Sequence, residues 1–236
     1  MLSPFCFLYY LAAKREIMLQ PSTLKFLKSL RLNNNKVWFD EHKTEYLAAK
    51  ADFESLTQQL IDGLARQDAT MQGLQVKDCV FRIYKDVRFS KDKTPYKTNL
   101  GASFQAGGKK STFAGYYFQL EPGGNSFAGG GIWMPAAPEL KKLRQEIDYN
   151  FHEFEQIISN KEFIKHFGKV EGEALKTAPQ GYQPDNPAIA YLKLKSVIVS
   201  HPFTDEACTQ PTMVKEILKT FALMQPLLQF INRAMD

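Results

Sequence analysis

Charged and aromatic side chains between residues 82 and 88 are the part of the sequence best suited to chemistry. Polar and apolar residues alternate in VFRIYKDVRF, which predicts a β-strand with Arg82, Tyr84, Asp86 and Arg88 on one face. The side chains of such a row stand about 6 to 7 Å apart along the strand. Its two guanidinium groups could bind a phosphate or a carboxylate through bidentate contacts, with Asp86 orienting one of them.

The loop that follows, SKDKTPYK, adds further cations beside this row. Seven cations and three aspartates lie between Lys77 and Lys97, so this stretch carries a net charge of +4, against +5 for the whole chain. We therefore predict that residues 82–97 bind an anionic, phosphate-bearing small molecule. The predicted ligand-binding residues are Arg82, Tyr84, Asp86, Arg88, Lys91, Lys93, Tyr96 and Lys97.

Three other functions fit the same residues. An enzyme acting on a phosphorylated or carboxylated metabolite would use Asp86 or Asp92 as its acid or base. A nucleic-acid-binding module, a more weakly supported alternative, would present the cations as a broad basic stripe. In a structural or protein-interaction protein, the same charges would form ion pairs on a solvated strand face, each contributing little.

The remaining polar residues form no recognised catalytic or metal-binding motif. The four histidines, His42, His152, His166 and His201, show neither an HExxH motif nor any pairing four residues apart. The three cysteines, Cys6, Cys79 and Cys208, lie far apart, and no GxSxG sequence is present. The sequence therefore predicts no metal and no cofactor, and we expect Cys79 to lie in the core.

A glycine-rich run, GGNSFAGGGIWMP, lacks both the Lys-Ser/Thr ending of a P-loop and the GxGxxG spacing of a dinucleotide site. We interpret residues 129–131 as a bulge, or as a place where another backbone or a ligand comes close. The nearby aromatic residues Phe113, Tyr116, Tyr117 and Phe118 could stack on nucleic-acid bases. On a sheet covered by helices, however, we expect them to belong to the core.

Hydrophobic periodicity predicts the elements that must position these residues. Helical spacing predicts three helices. They are a short helix in PSTLKFLKSL, a long helix over residues 37–65 with a kink near Lys50, and a closing helix kinked or interrupted at Pro226. Besides the 82–88 row, strands are predicted at residues 98–105 and 112–121, in the glycine-rich run, and in LKLKSVIVSHP. The predicted fold is α+β, a single domain in which an antiparallel sheet of about five strands has helices packed mainly on one face. The opposite face would carry the basic row.

The first 17 residues differ in character from the rest. Their apolar run is too short to span a bilayer and is followed, instead of preceded, by Lys14 and Arg15. We expect residues 1–17 to be an extension outside the core, with Met18 as an alternative start and residues 18–236 forming the domain. Because the cysteines suggest no disulfide framework, we expect a cytoplasmic protein without a membrane partner.

Three segments in this order, FRIYKDVRFSKDKTPYKTNLGASF, GYYFQLEPGGNSFAGGGIWMP and YLKLKS, resemble a widespread bacterial family known only as a domain of unknown function. The resemblance runs from Leu24 to the C-terminus, and it also includes NNNKVWFDEHK and LKTAPQGY. It implies no activity, cofactor or catalytic residue. Two positions depart from the family pattern: Lys85 stands where an arginine is expected, which removes a bidentate contact, and Asn186 stands where a histidine is common, which removes a general base.

Overall fold

A computed structural model describes residues 18–235, and the predicted extension over residues 1–17 lies outside them. Four helices precede the sheet: α1 (Pro21–Leu32), α2 (Lys36–Glu41), α3 (Lys43–Gln67) and α4 (Val76–Cys79), with a 3₁₀ turn at Ala69–Met71. The predicted long helix is broken at His42 and not at Lys50. The reason is local, because the His42 ring stacks on Trp38 at 4.0 Å and its Nδ1 lies 2.8 Å from the Trp38 carbonyl oxygen.

The sheet contains four antiparallel strands in the order β1-β2-β3-β4. They are β1 (Leu100–Phe104), β2 (Gly115–Leu120), β3 (Ser126–Ile132) and β4 (Val197–Phe203). The β1–β2 connection turns at Gly107 and Gly108, which have φ values of 79° and 81° and so confirm the predicted hairpin glycines. The β2–β3 turn is anchored by Asp205, whose carboxylate accepts hydrogen bonds from the amides of Gly123 and Gly124.

Two helix groups complete the fold. Between β3 and β4 lie α5 (Ala137–Tyr149), α6 (Phe151–Ile158), α7 (Lys161–Phe167) and α8 (Ile189–Leu192). After β4 come α9 (Asp205–Cys208) and α10 (Met213–Arg233). Helix α10 runs through Pro226, so the predicted interruption there is wrong, and the alternative of a kink stays a prediction. Neighbouring Met224, Leu227 and Leu228 are buried, and this packing holds the helix together across the missing N–H group.

The helices cover one face of the sheet, as predicted. Phe53 of α3 packs on Phe118 at 6.3 Å, and Phe221 of α10 packs on Phe104 and Tyr116 at 5.9 and 5.0 Å. These residues belong to one hydrophobic core, which confirms the α+β class. No helix within residues 18–235 combines the length and the apolar composition needed to cross a bilayer.

The opposite face of the sheet, which we call the open face, carries the alternate side chains of each strand. The register aligns Ser103, Tyr117, Gly129 and Ser200 in one row across the four strands. Short pairings extend the sheet at both edges, since Val80 bridges Ala102 beside β1 and Glu171 bridges Ile198 beside β4. The open face is therefore bordered on both sides by additional chain.

Candidate functional site

The basic segment, residues 82–97, does not form the predicted strand. Its two arms meet only at an isolated bridge between Tyr84 and Tyr96, supported by hydrogen bonds from the amide of Lys85 to Pro95 and from the amide of Lys97 to Ile83. Between the arms, residues 86–94 form an irregular loop. The predicted row of four side chains on one strand face is thus wrong. The alternation of exposure persists without a strand, since Arg82, Tyr84, Asp86 and Arg88 are exposed and Ile83 between them is buried.

Asp86 and Arg88 are paired with each other at the exposed end of this segment. Nε and Nη2 of Arg88 donate to the two Asp86 carboxylate oxygens at 2.9 and 2.6 Å. The hydrogen bonds from Arg88 lower the pKa of Asp86. Because a lower pKa makes a carboxylate a weaker base, this environment does not favour Asp86 as a general base at neutral pH.

Asp92 is also held by neighbours within the segment. Nζ of Lys85 donates to Asp92 at 2.7 Å and to the Thr94 hydroxyl at 2.6 Å. The hydrogen bonds from Lys85 and then from Thr94 lower the pKa of Asp92. Lys93 donates to the Val87 carbonyl at 2.9 Å. Several charged groups of the loop are therefore bonded to other groups of the same loop, and these contacts stabilise its conformation.

The two tyrosines of the basic segment belong to an aromatic cluster with α2. Tyr96 is buried and stacks on Phe39 at 3.9 Å, whereas Tyr84 is 45% exposed and lies 5.5 Å from Tyr96. The side chain of Asn34 bonds both the amide and the carbonyl of Tyr96. The asparagine run before α2 therefore attaches the basic segment to the rest of the fold.

Lys97 is separated from the loop and reaches a cavity on the open face. Its Nζ lies 5.4 Å from the centre of the Phe81 ring, and it has no hydrogen-bond or ion-pair partner in the described part of the chain. Of the eight predicted site residues, only Lys97 lines this cavity. Burial, followed by the charge of Arg82, lowers the pKa of Lys97. An anion in the cavity would relieve both effects.

The cavity has a volume of about 820 Å³, within the range typical of small-molecule sites. Its floor is the open face, and aromatic and aliphatic side chains form most of its walls. The lining residues include Phe81, Lys97, Ser103, Gln105, Phe113, Gly115, Tyr117, Phe127, Gly129, Gly131, Trp133, Glu139, Glu171, Ile198 and Ser200. Apolar walls with a few polar groups are typical of a site for a small organic molecule.

The glycines of β3 allow the floor to be concave. A Cβ atom on Gly129 would lie 2.9 Å from the Val199 carbonyl oxygen, and one on Gly131, whose φ is +125°, would lie 2.1 Å from that of Val197. On the core side, a Cβ atom on Gly130 would lie 2.4 Å from the Met224 sulfur. The interpretation of residues 129–131 as a place of close backbone approach is confirmed. With no side chains here, the floor lies low beneath the Tyr117 and Phe127 rings.

Tyr117 projects from the centre of the floor and is oriented by a chain of polar groups. Its hydroxyl donates to Oε1 of Gln119 at 3.2 Å, Nε2 of Gln119 donates to Glu121 at 2.8 Å, and Glu121 pairs with Arg31 at 2.7 Å. Burial and the nearby Glu121 charge raise the pKa of Tyr117 to about 12. The phenol is therefore protonated at neutral pH, and its ring forms part of the cavity wall.

Two glutamates line the cavity at the end opposite Lys97. Glu171 lies beside β4, where it bridges Ile198, and Glu139 lies in the first turn of α5, beyond the end of β3. Oε2 of Glu139 is buried without a hydrogen-bond partner. Neither side chain forms an ion pair within residues 18–235. Trp133 stands near this end and is 73% exposed.

The other candidate nucleophiles and ligands lie outside the cavity lining. Cys79 and Cys208 are fully buried, and burial raises the pKa of each thiol to about 11, which confirms the expected core position of Cys79. His166 and His201 stack on each other at 3.9 Å between α7 and β4. Among the residues that the structure describes, no group of three metal-ligating side chains comes together. Asn186 bonds Asp148 and does not line the cavity.

Lys97 is the one residue that belongs both to the predicted site and to the cavity lining. The cavity depends on Tyr117, Phe127, Glu139 and Ser200, which are far apart in the sequence and are brought together by the strand register. The usable signal was the glycine run beside a tyrosine-rich strand, since both are unusual on an ordinary solvated face.

Comparison with family models matches residues 22–230 to a family described as a conserved hypothetical protein (DUF2461). No curated protein and no solved structure matches the chain.

Proposed function

The chain belongs to the conserved hypothetical protein family DUF2461, and we propose from the site alone that its open-face cavity binds a small organic anion. The apolar body of the ligand lies on the glycine floor between the rings of Phe81, Tyr117 and Phe127. Its anionic group meets the ammonium of Lys97. This places the anion predicted for residues 82–97 at the inner end of that segment.

The observation that carries this proposal is the Lys97 ammonium, which has no counter-ion within residues 18–235 and lies in an apolar cavity of about 820 Å³. A half-buried cation without a counter-ion pays a desolvation cost that an anionic ligand would offset. By contrast, Lys85 and Arg88 in the loop already have carboxylate partners. Arg82 adds a second positive charge near Lys97, as its effect on the pKa of that residue indicates.

The first prediction compares two fluorescent probes of similar shape, anilinonaphthalene sulfonate, which is an anion, and phenylnaphthylamine, which is neutral. Lys97→Met is expected to weaken binding of the sulfonate by about tenfold, because a charge-assisted contact is lost. Binding of the neutral probe should change little. Fluorescence titration of both probes measures the two dissociation constants.

Lys91→Met is the matched control, since it removes the same charge from the exposed loop. If Lys91→Met or Arg88→Ala weakens sulfonate binding as much as Lys97→Met does, the loop carries the anion and the cavity proposal is contradicted. If Lys97→Met weakens the binding of both probes equally, the ammonium has no specific role in binding the anion.

The second prediction concerns pH. The free protein has a lowered Lys97 pKa, and a bound anion should raise it. Between the two pKa values the complex holds a proton that the free protein has lost, so sulfonate affinity should fall as pH rises, by up to about tenfold per pH unit. Lys97→Arg, which stays charged, should remove this dependence. The other titratable lining groups, Tyr116, Tyr117, Glu139 and Glu171, are identical in both proteins, so a slope that persists in Lys97→Arg would contradict the assignment.

A further inference from the structure

The two ends of the cavity differ in charge. Lys97 lies over Phe81, whose amide bonds the Gly101 carbonyl near the start of β1. Glu139 lies beyond the end of β3, which is next to the start of β2 and therefore near the end of β1. The cation and the carboxylates thus occupy opposite ends of one cavity and are not paired with each other.

Glu139 lacks a partner at an atom that normally requires one. Its Oε2 is buried and accepts no hydrogen bond from any described residue, although buried polar atoms in folded proteins are nearly always bonded. A carboxylate rotates easily about its last side-chain bond, so either oxygen can turn toward the cavity that this residue lines. Glu139 lies in the first turn of α5, where the positive end of the helix dipole attracts a carboxylate.

We propose that the ligand is bifunctional: an organic anion that carries, at its other end, a protonated amine or a comparable cationic donor bound by Glu139 at the carboxylate end of the cavity. This inference rests on the proposed function, since it assigns the second end of the same ligand. Glu171, exposed at that end, adds negative charge that favours a cation there. An amine supplies the donor that Oε2 of Glu139 lacks.

The ligand must also be extended. The segment carrying Phe81 is separated from β3, beyond whose end Glu139 lies, by three strand intervals, or about 14 Å at the usual spacing. A compact ion such as inorganic phosphate does not extend over such a distance. The body between the two charged groups is mainly apolar, because glycine, tyrosine, phenylalanine and isoleucine form much of the floor and walls, with Ser103, Gln105 and Ser200 as polar exceptions.

The test uses alkanoates from hexanoate to dodecanoate, each paired with its ω-amino counterpart, as competitors of anilinonaphthalene sulfonate. At the chain length that fits, the ω-amino compound is expected to bind about tenfold or more tightly than the plain alkanoate, which is the size of a hydrogen bond to a charged group. This preference is diagnostic, because an apolar cavity without a partner for the amine would favour the plain alkanoate.

Glu139→Gln should abolish or reverse the preference, measured at each chain length as the ratio of the dissociation constants of the plain and the ω-amino compound. Glu45→Gln, which removes the same charge from an exposed position on α3, should retain the preference for the ω-amino compounds. If the plain alkanoates bind as well as their ω-amino counterparts at every length and still depend on Lys97, the inference is overturned and the anion site stands. If neither series competes with the sulfonate, both proposals fail.

Discussion

Gly131→Ala is expected to lower the free energy of unfolding by about 3 kcal/mol or more. An alanine here must adopt a φ of +125°, and its Cβ would lie 2.1 Å from the backbone oxygen of Val197. The backbone of β4 cannot move away without breaking its pairing with β3. The backbone strain and the steric overlap therefore both contribute to the loss of stability. Urea denaturation of the variant measures the loss.

Gly73→Ala is the matched control for this effect. Gly73 also has a positive φ, of 81°, but a Cβ atom there would meet nothing within 4 Å. Its cost should be limited to the backbone strain, about 1 kcal/mol. Equal costs for the two variants would mean that β3 and β4 do not approach as closely at Gly131 as the structure indicates.

Ser200→Phe is expected to weaken anilinonaphthalene sulfonate binding by more than tenfold. Ser200 lies directly opposite Gly129 on the open face, so a phenyl ring at this position covers the lowest part of the floor. The space that the naphthalene rings would occupy is then filled. Because Ser200 is half-buried at the cavity wall and makes no side-chain hydrogen bond within residues 18–235, the free energy of unfolding should change by less than about 1 kcal/mol.

The control for an added phenyl group is Ser159→Phe, at an exposed position after α6. It should leave sulfonate binding unchanged. Unaltered binding in Ser200→Phe, measured by the same fluorescence titration, would place the bound dye elsewhere on the protein.

The sequence predicted the elements that rest on strong local patterns. The apolar alternation of Ala102 and Phe104, the hairpin glycines and the spacing of leucines in α1 each indicate one structure, and the fold contains them. The continuity at Pro226 depends instead on a tertiary contact, the burial of Met224 and Leu228. The break at His42 depends on a local stacking of its ring on Trp38, which hydrophobic periodicity does not report.

The basic segment shows a different limit. Alternation in VFRIYKDVRF is typical of a strand, but a strand also needs a partner along its length. For this segment, bridges to a partner within residues 18–235 form only at Val80 and at Tyr84. Beyond Lys85 the segment satisfies its polar groups locally, through Asp86, Asp92 and Thr94. Periodicity could not reveal this, because it reports the side-chain pattern and not the presence of a neighbouring strand.

The cavity could be predicted only in part. Lys97 was identified from the local excess of positive charge, and the glycine run was identified as a point of close approach. That these features share one site follows from the register, which aligns Tyr117 with both Ser103 and Gly129. The position of Glu139 follows from the start of α5 beyond the sheet, which is a tertiary feature.

The central claim is that the ligand occupies the open-face cavity, and Trp133 at its rim can report this directly. The chain has two tryptophans, so Trp38→Phe leaves Trp133 as the sole emitter. Titration of this variant with anilinonaphthalene sulfonate should quench the Trp133 emission in step with the rise of dye fluorescence, with one dye per chain, and Lys97→Met should shift both curves to higher dye concentration. A rise in dye fluorescence at constant Trp133 emission would contradict this claim. So would titration curves that are the same with and without the Lys97→Met substitution.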